Sequence, residues 1–228
     1  MSFALVLSHE GPEVVPADEL AALRSVLADV PALEEALIFT PATATDLYVD
    51  DGAAPPLVVQ LHFGRLERLE AAAGRKGALQ ALSSALPSQA GARATAQAFW
   101  RREYPVDDNV LQTPPGALPC SYVVHYPGPA RDLNAWLDHY MTGHPPLFRR
   151  FPGIRGIEIL TRVDWVSHLP HAKADHMQRN RVMFDGPEAL TAALQSPVRH
   201  ELRADFHSFP PFEGGNAHYP MWTEHLRP

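Results

Sequence analysis

The feature that most constrains this chain is an internal repeat. Pro31, Ile38 and Thr40 recur as Pro152, Ile159 and Thr161. Phe63, Glu67 and Leu69 recur as Phe184, Glu188 and Leu190, and every pair is 121 positions apart. A constant offset across two apolar runs and a helix start implies one scaffold written twice. Upstream of Pro31 the register changes, because Leu20 answers to Leu133 at an offset of 113. The second copy therefore carries eight extra residues (121 − 113) between its first helix and second strand, within 141–151.

Each copy reads as βαββαβ. In the first, Phe3 to Ser8 is an apolar run of strand type, and Pro16-Ala17-Asp18-Glu19 opens a helix with acids in its first turn. Strands follow at Ala32 to Thr40 and Leu57 to Phe63. Leu66 to Leu86 is helical with a break at Gly74 and Gly77, and Ala94 to Trp100 is a strand. Residues 105–119 are proline-rich and form a linker. The order then restarts: strand Ser121 to Tyr126, helix Asp132 to Tyr140, strands Gly153 to Arg162 and Arg179 to Phe184, a helix from Pro187 to Arg199 or beyond, and a last strand Ala204 to Phe209. The tail after it is too apolar to be free and is expected to fold back. The chain thus divides into repeats 1–104 and 120–228. The predicted class is α+β: two ferredoxin-like sandwiches closed sheet to sheet, with helices outside and a central cleft.

Composition narrows the function. The net charge of −7 argues against nucleic acid, whose phosphates require a basic face. No apolar run approaches the length of a membrane span, the N-terminus lacks a basic leader, and Cys120 is the single cysteine, so a cytoplasmic protein is expected. Walker, GxGxxG, GxSxG and HExxH motifs are missing, so no nucleotide or flavin cofactor is indicated.

Chemistry concentrates in residues 136–158, where His139, Tyr140, His144, Arg149, Arg150 and Arg155 surround the extra segment. His139-Tyr140-x-x-x-His144-x-Pro146-Leu147-x-Arg149-x-x-Pro152-Gly153-Ile154, followed later by Phe184-Asp185-Gly186-Pro187, resembles the EthD-like family of the dimeric α+β barrel superfamily. The resemblance covers about residues 121–210. It implies that fold, and a characteristic histidine at His144. Family members are single repeats that dimerise, whereas this chain carries both halves; a further homodimer remains open.

His144 is read as lying just past the helix end and acting as a general acid/base. His139 and Tyr140 are the other catalytic candidates. His125, Tyr126, Trp136, Arg149 and His207 are assigned to substrate binding, an arginine serving as a carboxylate clamp. His218 is placed near the cleft. His168, His171 and His176 share a long loop that reads as mobile surface, as a lid, or as a zinc site. The expected function is a cofactor-independent lyase or isomerase acting on a small aromatic or carboxylated metabolite. Three alternatives stand beside it: a non-catalytic binding protein, a cofactor-free monooxygenase and a haem protein, since haem needs one well-placed histidine.

Overall fold

The computed structural model describes residues 2–11 and 14–228. The elements of residues 2–104 are β1 (Ser2–Glu10), α1 (Ala17–Ala28), β2 (Glu35–Pro41), β3 (Leu57–Phe63), α2 (Leu66–Ala72), α3 (Leu82–Ala85) and β4 (Arg93–Tyr104). Those of 120–226 are β5 (Cys120–Tyr126), α4 (Leu133–Phe148), β6 (Gly156–Arg162), a short β7 (Ala172–Lys173), β8 (Gln178–Phe184), α5 (Pro187–Leu194), α6 (Pro197–Phe206) and β9 (Ala217–Leu226).

Strands of the first group lie in the order β4-β1-β3-β2 and those of the second in the order β9-β5-β8-β6. The two groups join through antiparallel pairs β2–β9 and β4–β6, which closes an antiparallel barrel of eight strands. The offset of 121 reappears in the element bounds: β2 maps onto β6, β3 onto β8, and Leu66 at the start of α2 onto Pro187 at the start of α5.

Alternation along the strands separates three cores. Leu5, Leu7, Leu57, Val59, Leu61 and Phe63 face α1–α3 and meet Leu23, Leu27 and Leu69. Tyr122, Val124, Tyr126, Val182 and Phe184 face α4–α6 and meet Trp136, Tyr140, Leu190 and Leu202. The opposite faces meet inside the barrel, where Val6, Leu37, Phe39, Phe99, Val123, Leu160 and Met221 fill its middle. The middle of the barrel is therefore packed, while a cavity of about 1140 Å³ lined by Arg101, Glu158, Arg181 and Thr223 among others opens toward one end of the interior.

Four local expectations are corrected. Ala204 to Phe209 is the end of helix α6 and a turn, because Val198, Leu202 and Phe206 recur every four residues and turn to the core. Ser196-Pro197 divides the preceding helix in two, proline opening the new one. The closing strand is the tail itself, β9. Pro220 argues against a strand in sequence, since it lacks an N–H. In the fold that missing donor points beyond the end of β2, where Ala42 N donates to the Pro220 carbonyl at 3.0 Å. Finally, α4 does not stop at Tyr140.

The loop 163–177 is anchored rather than mobile. Trp165 and Leu169 enter the first-half core, and the His168 amide donates to the Ala73 carbonyl at 2.9 Å. Its equivalent at offset 121, loop 42–56, crosses the other way and lays Ala42 and Ala44 on the second-half core. Each half thus covers the helix-side interior of the other.

Candidate active site

Helix α4 begins at Asp132, whose side chain accepts from the Ala135 amide at 3.0 Å, and continues for 16 residues against 12 in α1. The extra turn carries His144-Pro145-Pro146. Prolines 145 and 146 each remove a helical donor. The helix persists because Trp136, Tyr140, His144 and Phe148, four residues apart, all bury one stripe. His144 is therefore on the helix and in the core, not past its end.

His144 Nδ1 lies 2.6 Å from Oδ2 of Asp205 on α6. An ionised carboxylate only accepts, so Nδ1 carries the proton and Nε2 keeps its lone pair. Burial pushes the His144 pKa down, against the pull of the Asp205 hydrogen bond and charge. Asp205 is held below its usual value: burial raises it, but the interactions with His144 and His139, hydrogen bonds foremost, outweigh that. Gly143 makes the pairing sterically feasible, since a Cβ there would stand 2.9 Å from Asp205 Oδ1.

The imidazole lines two adjoining cavities of about 40 and 60 Å³ between sheet and helices. Each has room for a water-sized or diatomic molecule. Tyr122, Tyr126, Asn180, Phe148, Phe151 and Arg199 form the walls. Asn180 Nδ2 donates to the Tyr140 hydroxyl at 2.5 Å. Burial raises both Tyr126 and Tyr140, so both phenols stay protonated and able to donate.

Loop 42–56 closes the cavities from outside. Asp46 accepts from the Tyr122 hydroxyl at 2.9 Å and from Arg199 Nε at 3.0 and 3.1 Å. Asp51 meets His218 Nδ1 at 2.7 Å, and Tyr48 bonds His200. Beyond the loop lies a groove of about 480 Å³ that shares Tyr122 and His218 with the inner cavities.

The predicted residues divide clearly. His144 and Tyr126 line the cavities, and Tyr140 and Trp136 stack behind them with ring centroids 5.2 Å apart. Trp136 is thus core rather than a substrate platform. His139 reaches Asp205 at 3.5 Å from the rim, as the second histidine on that acid. Arg149 is removed from the site: it is exposed and paired with Asp107. His207 is exposed at the end of α6, against Phe206. His125 faces the barrel interior, on the far side of the sheet. The three loop histidines go separate ways, His171 to His9 and His176 to His125, and no group of three metal-binding side chains occurs among the described residues. Asp205, Asn180, Arg199 and Asp46 were not foreseen. Asp205 was hidden by reading its segment as a strand, and Asp46 belongs to the other half of the chain.

At the equivalent positions of the first half the described residues are apolar. Strand pairing aligns Tyr122 with Leu5, and the offset of 121 aligns Asn180 with Val59. Leucines fill the space, and Trp165 and Leu169 plug it.

No protein-family model matches the chain, and no curated protein does. Solved structures do. An anthrone oxidase-like protein is similar over 99% of this chain and 92% of its own at 12% identity, with a TM-score of 0.62. A candidate monooxygenase from Fusobacterium nucleatum is similar over 99% and 94% at 8% identity, with a TM-score of 0.61. A mutant chlorite dismutase from Candidatus Nitrospira defluvii is similar over 96% and 91% at 10% identity, with a TM-score of 0.52. At these identities the likeness is one of fold, and that fold is the dimeric α+β barrel the EthD-like resemblance implied. Lyase or isomerase chemistry is corrected by the same comparison: the neighbours carry oxidase, monooxygenase and chlorite dismutase names. No described helix is long and apolar enough to cross a membrane.

Proposed function

We propose that this protein is a cofactor-free monooxygenase that oxidises an activated methylene of a small aromatic substrate with dioxygen. The observation that carries the reading is the buried His144–Asp205 pair facing an aromatic-walled cavity. Asp205 holds the tautomer that leaves Nε2 free, and burial keeps the ring neutral, the form a general base needs. Nε2 takes a proton from the methylene. The resulting carbanion is the electron donor: it reduces dioxygen and forms a C–O bond, and loss of water then leaves a carbonyl. CH₂ and O₂ thus become C=O and H₂O. The phenols of Tyr126 and Tyr140 and the guanidinium of Arg199 supply positive potential for the enolate-like charge. An anthrone-like substrate suits this chemistry, in keeping with the name of one structural neighbour.

Haem does not fit here. Tyr126, Phe148, Phe151 and Phe209 crowd the face of His144 that a macrocycle would occupy. An aromatic substrate also exceeds the closed cavities, so loop 42–56 is proposed to lift and join them to the outer groove during entry.

The underlying architecture is proposed to be two ferredoxin-like repeats, 1–104 and 120–228, joined by linker 105–119, only the second keeping chemistry. The repeated strand order and the offset of 121 support this. Because the barrel closes within one chain, the site works without a partner; a homodimer would join outer surfaces only.

An oxygen electrode tests the function. With anthrone as substrate, His144→Ala should lower the rate of oxygen uptake at least about a hundredfold. Unchanged uptake would remove His144 as the base, and no uptake by the unaltered protein would remove the reading.

A further inference from the structure

On the opposite face of the same sheet, β8 presents two arginines to the barrel interior. Arg181 is matched: its Nε approaches Glu158 at 3.5 Å, and Arg101 bonds the same carboxylate. Arg179 is not. It is 7% exposed, and no described carboxylate lies within ion-pair distance of it. Glu10, the one acid lining its cavity among the described residues, is turned to Arg93 at 3.2 Å.

The cavity, of about 30 Å³, is lined by Ser8, Thr95, His125, His176, Arg179 and Tyr219 among others. The His125 and His176 rings stand 4.6 Å apart, and Nδ1 of each is buried without a partner. Burial, then the charge of Arg179, pushes His125 down to about 2 and His176 down to about 4, so both are neutral near pH 7 and each brings one N–H. Burial also lowers Arg179, to about 10, which leaves it charged. The result is a cation with no direct ion pair among the described residues, reached by the charge of Glu10 only from a distance and ringed by hydroxyls and imidazoles.

A buried charge without a counter-ion costs several kcal/mol. Chains keep such a group rarely unless something pairs with it. We propose that Arg179, His125, His176 and Tyr219 form a binding site for a small planar oxyanion such as formate or nitrate inside this end of the barrel. The guanidinium fork matches two oxygens of a planar anion side by side, which a spherical halide cannot use. The volume admits only a few non-hydrogen atoms. The site is separated from His144 by the thickness of the sheet, so it stands whether or not the oxygenase reading does.

Isothermal titration of the full-length protein with sodium formate, sodium nitrate and sodium chloride tests this. Saturable one-to-one binding of formate or nitrate in the millimolar range is expected, at least tenfold tighter than chloride. Arg179→Met should abolish it, while losing no resistance to urea in anion-poor buffer, since it removes an unpaired buried charge. If that variant does not fold, His176→Leu should weaken formate at least tenfold. No saturable heat with the unaltered protein, equal binding by either variant, or chloride binding as tightly as formate would overturn the proposal.

Discussion

Stability should fall steeply between pH 7.5 and 5.0, and histidines rather than carboxylates should cause it. His9 and His176 are pushed down to about 4 and His125 to about 2, burial being the largest cause in each. A histidine whose folded pKa is lowered binds its proton more readily when unfolded, so the unfolded state gains as pH drops below 6.5. At pH 5.0 that difference spans about 1.5 pH units, or about 2 kcal/mol for each ring. Three rings give about 6 kcal/mol, and roughly half that if water relaxes around the partly buried sites. His144 and His171 are lowered too and act in the same sense. Against a total stability of about 5–15 kcal/mol this is a large fraction. Carboxylates with depressed pKa values, among them Glu158 and Asp205, add losses only below about pH 4.5. Urea titrations followed by tryptophan fluorescence at pH 7.5 and 5.0 measure the difference directly. A change below about 1 kcal/mol, or a loss confined to pH below 4.5, would refute the reasoning, because either outcome would mean that the rings are hydrated or already paired.

Asp205→Asn should cut oxygen uptake by about a hundredfold or more, since an amide no longer fixes the His144 tautomer, and whatever rate remains should begin at lower pH because the group that raises His144 is gone. Asp46→Ala leaves Arg199 buried without its partner and should cost about 3–5 kcal/mol, whereas Asp46→Leu with Arg199→Met should recover most of it; chemical denaturation of the single and double variants reads both. Trp165→Ala opens a cavity in the first-half core and should cost about 3–5 kcal/mol in the same assay, with oxygen uptake unchanged well below the melting temperature.

Much of the barrel is legible because its signals are local. Strand β3 is a short, mostly apolar run, Leu57–Phe63, which marks itself without reference to anything distant. The offset of 121 is legible for the same reason, and it reappears in the bounds of β2 and β6 and of β3 and β8. Helix α6 and strand β9 are where a local rule meets a tertiary one. Proline within β9 argues against a strand until its missing donor is seen to point past the end of β2. Proline within α4 argues for a stop until the burial of His144 and Phe148 outweighs two lost hydrogen bonds.

The candidate site shows the same division. The sequence alone singled out the extra segment of the second half, with His144 in it, as the place to look for chemistry, because a histidine-bearing insertion stands out against a stretch that lacks it. Only the tertiary structure decided what His144 meets. Asp205 is 61 residues away on another helix, and Asp46, which seals the cavity through Arg199, comes from the opposite half. Which side chains meet is set by the closure of the barrel and the exchange of loops across it, and no spacing along the chain records either.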